Sequence, residues 1–298
     1  MSVRRNSRRS VRDTNKIELS PNRMGTLQCR RLQELFLEED DDDDDSATDS
    51  NRVRQVEKFR LERVFCAPQI YVVDNFLSAS ELEYFYSYIE RMQESFERSF
   101  VDASSTSDTV LDDSHRTSTF VGIPKQENKT ISTIESRAAN LLGCYSTETV
   151  EPLQLVRYKV GEFFGVHHDT GDYNEETGQV ALPPKTVLAK RRIVTIFCYL
   201  NTLPEKAGGA TMFPQCGDLR VQPKAGRAVL FPNITAEGLP DPRTVHAGEA
   251  VKKMPKKPNK SSGKAEESKK KKRKTTNSRF FSKRNPVKYG LNIWLTES

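Results

Sequence analysis

The sequence predicts an α+β domain on an antiparallel, sandwich-like or barrel-like core, and three observations predict it. Two segments with helical spacing come first, a series of short β-rich segments broken by turn residues follows, and charge-dense stretches lie beside them without apolar residues to bury. Of the 298 residues, 30% are charged and only 35% hydrophobic, so part of the chain is expected to lie outside any core.

The charge is uneven. Residues 1–31 carry nine Lys/Arg against two acids, and residues 32–50 carry ten acids and no base, including the unbroken run from Glu38 to Asp45. Like charges at that density repel and bury nothing, so 1–57 is expected to be a disordered charged tail and 58–298 the folded domain. From Lys252 to Arg284 there are fifteen bases against two acids, with Lys269 to Lys274 wholly basic. Because a core-like strand follows it, this stretch is expected to be a disordered basic insertion at about 252–284. The chain's net charge of +6 therefore does not describe a uniformly basic surface.

The folded part opens with a strand at 70–76. Ser78-Ala-Ser-Glu81 is a capping-box pattern, and Leu82, Phe85, Tyr86, Ile89, Met92 and Phe96 recur at three- and four-residue steps, which predicts a helix with one face turned inward. A second helix is expected at 130–142, ended by Gly143, with Ile131, Ile134, Ala138, Leu141 and Leu142 inside. Strands are then expected at 153–160, 163–169, 193–201, 211–214, 227–231, 245–247 and 291–295, separated by Gly161, Gly208-Gly209, Pro223 and Gly226.

No apolar run is long enough to span a bilayer, so no membrane contact is expected; the longest, from Ile193 to Leu200, is eight residues. The Arg/Ser-rich opening is not followed by the apolar stretch of a signal peptide, although its composition resembles a transit peptide. Five widely spaced cysteines without a C-x-x-C pair read as reduced thiols. A cytoplasmic or nuclear location is expected, with organelle import through the N-terminus second. The Lys269 to Lys274 run also fits a nuclear-localisation signal, so 252–284 is a candidate contact for nucleic acid or an import receptor.

Four histidines allow each to be weighed. His167 and Asp169 lie two apart in a predicted strand, so both side chains leave one face while His168 leaves the other. A third ligand from a later strand, His246, would complete a two-histidine, one-carboxylate set with open positions, as in non-haem Fe(II) oxygenases. His168 reads as a supporting or surface residue, His115 as a solvated loop residue, and Tyr199 and Phe231 as core packing. Gly208-Gly209 reads as a turn needing positive φ.

Around these residues stands an ordered series: Tyr158-x-x-Gly161 before His167-x-Asp169, then Arg192-x-x-Thr195-x-x-x-Tyr199-Leu200-Asn201, Gly208-Gly209-Ala210-Thr211, Pro223-x-x-Gly226-Arg227, His246-Ala247-Gly248, and Lys288 six residues before Trp294. From about Val64 to Leu295 this resembles the catalytic domain of the prolyl 4-hydroxylases (alpha-subunit-like), in the Fe(II)/2-oxoglutarate dioxygenase superfamily. The resemblance implies a double-stranded β-helix (jelly-roll) core with flanking N-terminal helices. It implies that His167, Asp169 and His246 ligate Fe(II), that Lys288, Tyr158 and Thr211 bind 2-oxoglutarate, and that Arg192 and Trp294 shape the peptide cleft. It also implies O2 and L-ascorbate as co-reactants, a proline-containing protein or peptide as substrate, and succinate and CO2 as co-products.

Two features depart from the family. Phe164 stands where the family usually has a tyrosine hydroxyl near the substrate, which weakens the case for proline, and the His246 to Lys288 interval is lengthened by 252–284. Two other readings use the same chain: a 2-oxoglutarate oxygenase acting on another side chain or on nucleic acid, and a catalytically silent barrel serving as a binding scaffold.

Overall fold

A computed structural model describes residues 53–56, 59–98, 115–144, 146–182, 190–255 and 285–297. The runs from Glu38 to Asp45 and from Lys269 to Lys274 lie outside the described residues, as does most of the expected insertion. Fifteen strands and two helices follow in chain order: β1 (Val53–Val56), β2 (Phe59–Phe65), β3 (Ile70–Val73), α1 (Ala79–Arg91), β4 (Glu97–Arg98), β5 (Thr119–Ile123), α2 (Lys129–Leu141), β6 (Leu153–Tyr158), β7 (Phe164–His167), β8 (Asp172–Asn174), β9 (Gln179–Ala181), β10 (Arg192–Tyr199), β11 (Thr211–Phe213), β12 (Leu219–Val221), β13 (Ala228–Pro232), β14 (His246–Gly248) and β15 (Lys288–Thr296).

Nine strands form an antiparallel sheet in the order β1-β2-β3-β13-β10-β15-β6-β5-β4, and four form a second sheet, β12-β11-β14-β7. Strands β8 and β9 pair apart as a hairpin. Alternation along β10 explains the layering. Val194, Ile196 and Cys198 pack with Phe85, Ile89, Ile131 and Ile134 from the helices, whereas Phe197 and Tyr199 pack with Phe213 and Val221 of the smaller sheet. Both faces of the central strands are thus buried, which is why 193–200 reads as a continuous apolar run. The result is helices, large sheet and small sheet in three layers, a jelly-roll core with helices on its outer face.

Local chemistry accounts for the helix ends. The Ser78 hydroxyl accepts from the Glu81 amide while the Glu81 carboxylate accepts from the Ser78 amide, completing the capping box. Asn128 caps α2 by accepting from the Thr130 and Ile131 amides, and Gly143 just beyond it has φ of 68°. Gly208 and Gly209, at φ 64° and 79°, make the turn into β11.

The structure moves several expected boundaries. Val53–Val56, placed by its charged neighbours in the tail, pairs with β2 at the edge of the large sheet, so the domain begins upstream of residue 58. The expected 163–169 strand ends at His167. Strands β2, β4, β5, β8, β9 and β12 have no counterpart in the sequence reading, because they are short or polar. Cys144 is disulfide-bonded, so the expectation of five reduced thiols fails there; Cys66, Cys198 and Cys216 are free. No described helix is long and apolar enough to cross a membrane.

Candidate metal and co-substrate centre

A cavity of about 610 Å³ opens between the two sheets, and Tyr158, His167, Asp169, Arg192, Thr211, His246, Lys288 and Trp294 all line it. Strand register brings them there from distant parts of the chain. His246 is the Cα partner of His167 across β14 and β7, Lys288 is the partner of Tyr158 across β15 and β6, and Trp294 is the partner of Thr195 across β15 and β10. Along β15, Lys288, Asn292 and Trp294 face the cavity while Tyr289, Leu291, Ile293 and Leu295 face the helices.

The ligand atoms of His167, Asp169 and His246 lie within 4.8 Å of one another, and among the described residues only this group is placed to hold a metal ion. The Nε2 atoms of His167 and His246 are each 3.7 Å from Asp169, one from Oδ1 and the other from Oδ2. His167 Nδ1 lies 2.9 Å from the Gly165 carbonyl and His246 Nδ1 lies 3.1 Å from the Thr244 carbonyl. A carbonyl only accepts, so each Nδ1 carries the proton and each Nε2 presents its lone pair to the common point. That donor set, two neutral imidazole nitrogens and a carboxylate, fits a divalent iron.

Electrostatics agrees with this protonation pattern. Burial, aided by His246, holds the His167 imidazole well below its ordinary pKa. Burial alone would raise Asp169, but His246 and His167 whenever they carry charge, together with Arg192 and the Thr195 hydroxyl, hold the carboxylate below its usual range. The Phe164 ring stacks on His167, with centroids 3.5 Å apart and planes 9° apart, and the Arg116 guanidinium lies 4.2 Å from the centroid of the same Phe164 ring.

Lys288 is 1% exposed, with Nζ 4.7 Å from the Tyr158 ring, 5.0 Å from Phe197 and 5.7 Å from Tyr199. Among the described residues no carboxylate forms an ion pair with it. Burial pushes its pKa down to about 7. An unpaired buried cation is costly, so the arrangement fits an incoming carboxylate. Gly290 makes the aromatic wall fit: a Cβ there would stand 2.3 Å from the Phe197 ring. The Thr211 hydroxyl lies 2.7 Å from the Tyr199 hydroxyl.

On the opposite wall, Arg192 forms a two-point ion pair with Glu151, at 2.8 and 2.9 Å, and its guanidinium lies 3.6 Å over the Trp294 ring. The indole Nε1 of Trp294 is buried without a hydrogen-bond partner among the described residues.

Several residues differ from the sequence reading. Asp169 lies beyond the end of β7, so strand alternation is not what aims it; the Thr195 hydroxyl does, at 2.5 Å from Oδ2. His115 is half-buried against Phe164 and lines the cavity, not a solvated loop. Tyr199 and Phe231 pack in the core and also border the site. His168 borders the cavity and is buried, with both ring nitrogens engaged elsewhere: Nδ1 accepts from the Thr170 amide, Nε2 faces the Asp241 carbonyl, and burial pushes its pKa down to about 4. Thr195, Asn233 and Arg116 were assigned no role, although Thr195 stands in the motif series and Arg116 lies within the span of the resemblance.

Residues 153–261 match the 2OG-Fe(II) oxygenase superfamily. The chain is 31% identical over 223 residues to probable prolyl 4-hydroxylase 10 of Arabidopsis thaliana, covering 68% of this chain and 69% of that one. It spans 64% to 66% of the length of four other Arabidopsis prolyl 4-hydroxylases. It is also 34% identical over 133 residues to the human prolyl 4-hydroxylase subunit alpha-1, across 45% of this chain and 23% of that subunit. Among solved structures, the viral collagen prolyl hydroxylase of Paramecium Bursaria Chlorella virus-1 in complex with 2OG aligns over 77% of this chain and 96% of its own, at 21% identity and a TM-score of 0.48. With the Arabidopsis relative matched over more than two thirds of its length, the chain belongs to the prolyl 4-hydroxylase family of 2OG-Fe(II) oxygenases.

Proposed function

We propose that the chain is an Fe(II)- and 2-oxoglutarate-dependent dioxygenase that hydroxylates a prolyl residue of a protein or peptide, with succinate and CO2 as co-products. The observation that carries this reading is the pairing, in one cavity, of a metal-competent His167–Asp169–His246 set with a buried Lys288 that has no ion-pair partner among the described residues. Family membership supplies the reaction class, and the relatives' prolyl substrates supply the substrate class.

The residues divide the work. His167, Asp169 and His246 would hold Fe(II), which when bound supplies the oxygen-activating redox chemistry that protein side chains lack. Lys288 meets the distal carboxylate of 2-oxoglutarate, with Tyr158 and Thr211 offering hydroxyls beside it. Phe197, Tyr199, Phe213 and Phe231 exclude water from that end of the cavity. Arg192, fixed by Glu151, and the free indole N–H of Trp294 face the side from which a peptide enters. Phe164 offers a ring face where the family usually has a hydroxyl, so substrate polar contacts at that point fall to Arg116 or Arg192.

The test is incubation with Fe(II), 2-oxoglutarate and ascorbate, the last as reductant for the iron, together with a proline-rich peptide. Succinate release and the mass gain of one oxygen atom on proline are expected, and His167→Ala or His246→Ala should lose both. Unchanged succinate release by His246→Ala would sink the metal assignment. A mass gain on any other residue would replace the prolyl substrate and leave the reaction class standing.

A further inference from the structure

The cavity wall around Phe164 carries two basic side chains to which the roles above give no counter-charge. Residues 115–117 run beside the start of β7. The Gly165 amide donates to the His115 carbonyl at 2.7 Å, the Thr117 amide donates to the Phe163 carbonyl at 3.1 Å, and Arg116 bridges to Phe164. Both His115 and Arg116 line the cavity. The His115 ring stands edge-on to Phe164, with centroids 5.9 Å apart and planes at 90°. Gly165 leaves room for it, since a Cβ there would lie 3.0 Å from His115 Nδ1. His167 is stacked on one face of the Phe164 ring, so the Arg116 guanidinium, 4.2 Å from the ring centroid, takes the other.

Arg116 Nε donates to the Ser118 hydroxyl at 3.0 Å. Among the described residues, its two terminal nitrogens and both ring nitrogens of His115 have no hydrogen-bond partner, and neither residue forms an ion pair. The other cations of the cavity are provided for: Lys288 faces the co-substrate end, and Arg192 is held by Glu151. Of the acids on the wall, Asp169 belongs to the metal set and Asp172 is exposed on β8. Arg116 feels the charges of Asp169 and Arg192, which puts it beside both the metal set and the wall that faces the peptide. An arginine keeps its charge, so a guanidinium withdrawn from water with ring faces for neighbours is stabilised by an entering anion.

We propose that His115 and Arg116 form a subsite for a carboxylate of the peptide substrate, so that an acidic residue flanks the prolyl residue that reacts. The terminal nitrogens of Arg116 supply paired donors, and His115 adds a ring N–H beside them. The inference deepens the prolyl-hydroxylase reading and rests on it.

The test is calorimetric binding of peptides to the 298-residue chain, loaded with Co(II) in place of Fe(II) and with 2-oxoglutarate. Each peptide has a central proline and a single Glu, or Gln in its place, at one of the two positions on either side. At one position Glu should bind about 10- to 100-fold tighter than Gln, the worth of a hydrogen bond to a charged group. Arg116→Gln should abolish that preference, and His115→Phe, which keeps a ring against Phe164, should reduce it. The comparison of Glu with Gln on the unsubstituted chain needs no variant: equal affinity at every position would overturn the inference. A Glu preference that survives Arg116→Gln would also overturn it, and if that variant had lost 2-oxoglutarate affinity instead, the guanidinium would belong to the co-substrate. Absence of binding by every prolyl peptide would remove the prolyl reading and this inference with it, whereas Gln peptides that bind as tightly as Glu peptides would leave that reading standing.

Discussion

Lys288 is a buried cation that faces three aromatic rings, and its surroundings fix how co-substrate binding should respond to pH. Tyr158 on β6 and Phe197 and Tyr199 on β10 enclose it. Glu249, the acid whose charge reaches it, is already paired with Arg220 at 2.6 Å and Lys252 at 2.9 Å. With its pKa pushed down to about 7 by burial, Lys288 is largely neutral in the ligand-free protein above that pH. In the unfolded chain a lysine stays charged to about pH 10.4, so burial of the cation costs stability fully below about pH 7 and the cost is relieved as pH rises toward 10.4. A bound dicarboxylate favours the charged form. Binding above pH 7 should therefore take up a proton, and affinity should fall by up to about tenfold per pH unit, with a plateau below pH 7. Calorimetry of 2-oxoglutarate binding to the metal-loaded chain, in buffers of different ionisation enthalpy, would measure that uptake. It should approach one proton in mildly alkaline buffer, vanish in mildly acidic buffer, and be absent in Lys288→Met; a pH-independent uptake would contradict the reading. Lys288 was legible because its spacing to Trp294 is local. Asn233 was not: it meets Asp169 only through Thr195, across three separate segments, and no periodicity marks it.

At the scale of elements, α1 and α2 are joined by one ion pair that also completes a helix cap. Arg137 Nη2 lies 2.5 Å from Glu81 Oε1, Nη1 lies 2.9 Å from Oε2, and Nη1 also donates to the Phe76 carbonyl at 2.8 Å. The two side chains are 11% and 10% exposed, so removing either partner leaves a nearly buried charge. Glu81→Ala should cost about 3 kcal/mol by denaturant unfolding. Ser78→Ala, which removes only the cap hydroxyl, should cost about 1 kcal/mol. Burial raises the Glu81 pKa, but Arg137 and the Ser78 amide outweigh it and hold the carboxylate below its ordinary range. The pair's contribution should thus persist through neutral pH and be lost only as pH falls below that range. Neither substitution should change Co(II) affinity, since both residues lie on the helix side of the large sheet; a change would mean the helices help set the metal site. The capping box and both helical faces were readable because they are local patterns of strong period. The same reasoning missed β5, β8, β9 and β12, whose three to five residues hold too little alternation to announce a strand.

For the whole molecule, the charge arithmetic and the core's connectivity meet at 256–284. That stretch carries thirteen bases and two acids, a net of +11, so removing it would take the chain from +6 to −5. The described residues on both sides of it are anchored. Gly161 donates to the Val251 carbonyl at 2.8 Å and the Lys252 amide donates to Ala207 at 2.7 Å. On the returning side the Asn201 side chain donates to the Val287 carbonyl and accepts from the Tyr289 amide, each at 2.8 Å. These contacts of the described residues fix where Lys288 enters β15. Replacing 256–284 with about ten Gly/Ser residues should therefore preserve Co(II) and 2-oxoglutarate affinity, and the shorter closure should add about 1 kcal/mol to stability. Retention on an anionic resin, or of RNA at low salt, should be lost in the same variant, because the remaining chain is net acidic. Calorimetric titration of the replaced chain against the full one decides the first point. A tenfold loss of 2-oxoglutarate affinity would show that 256–284 helps to form the co-substrate end of the cavity, and polyanion binding that survives the replacement would place it on the folded core.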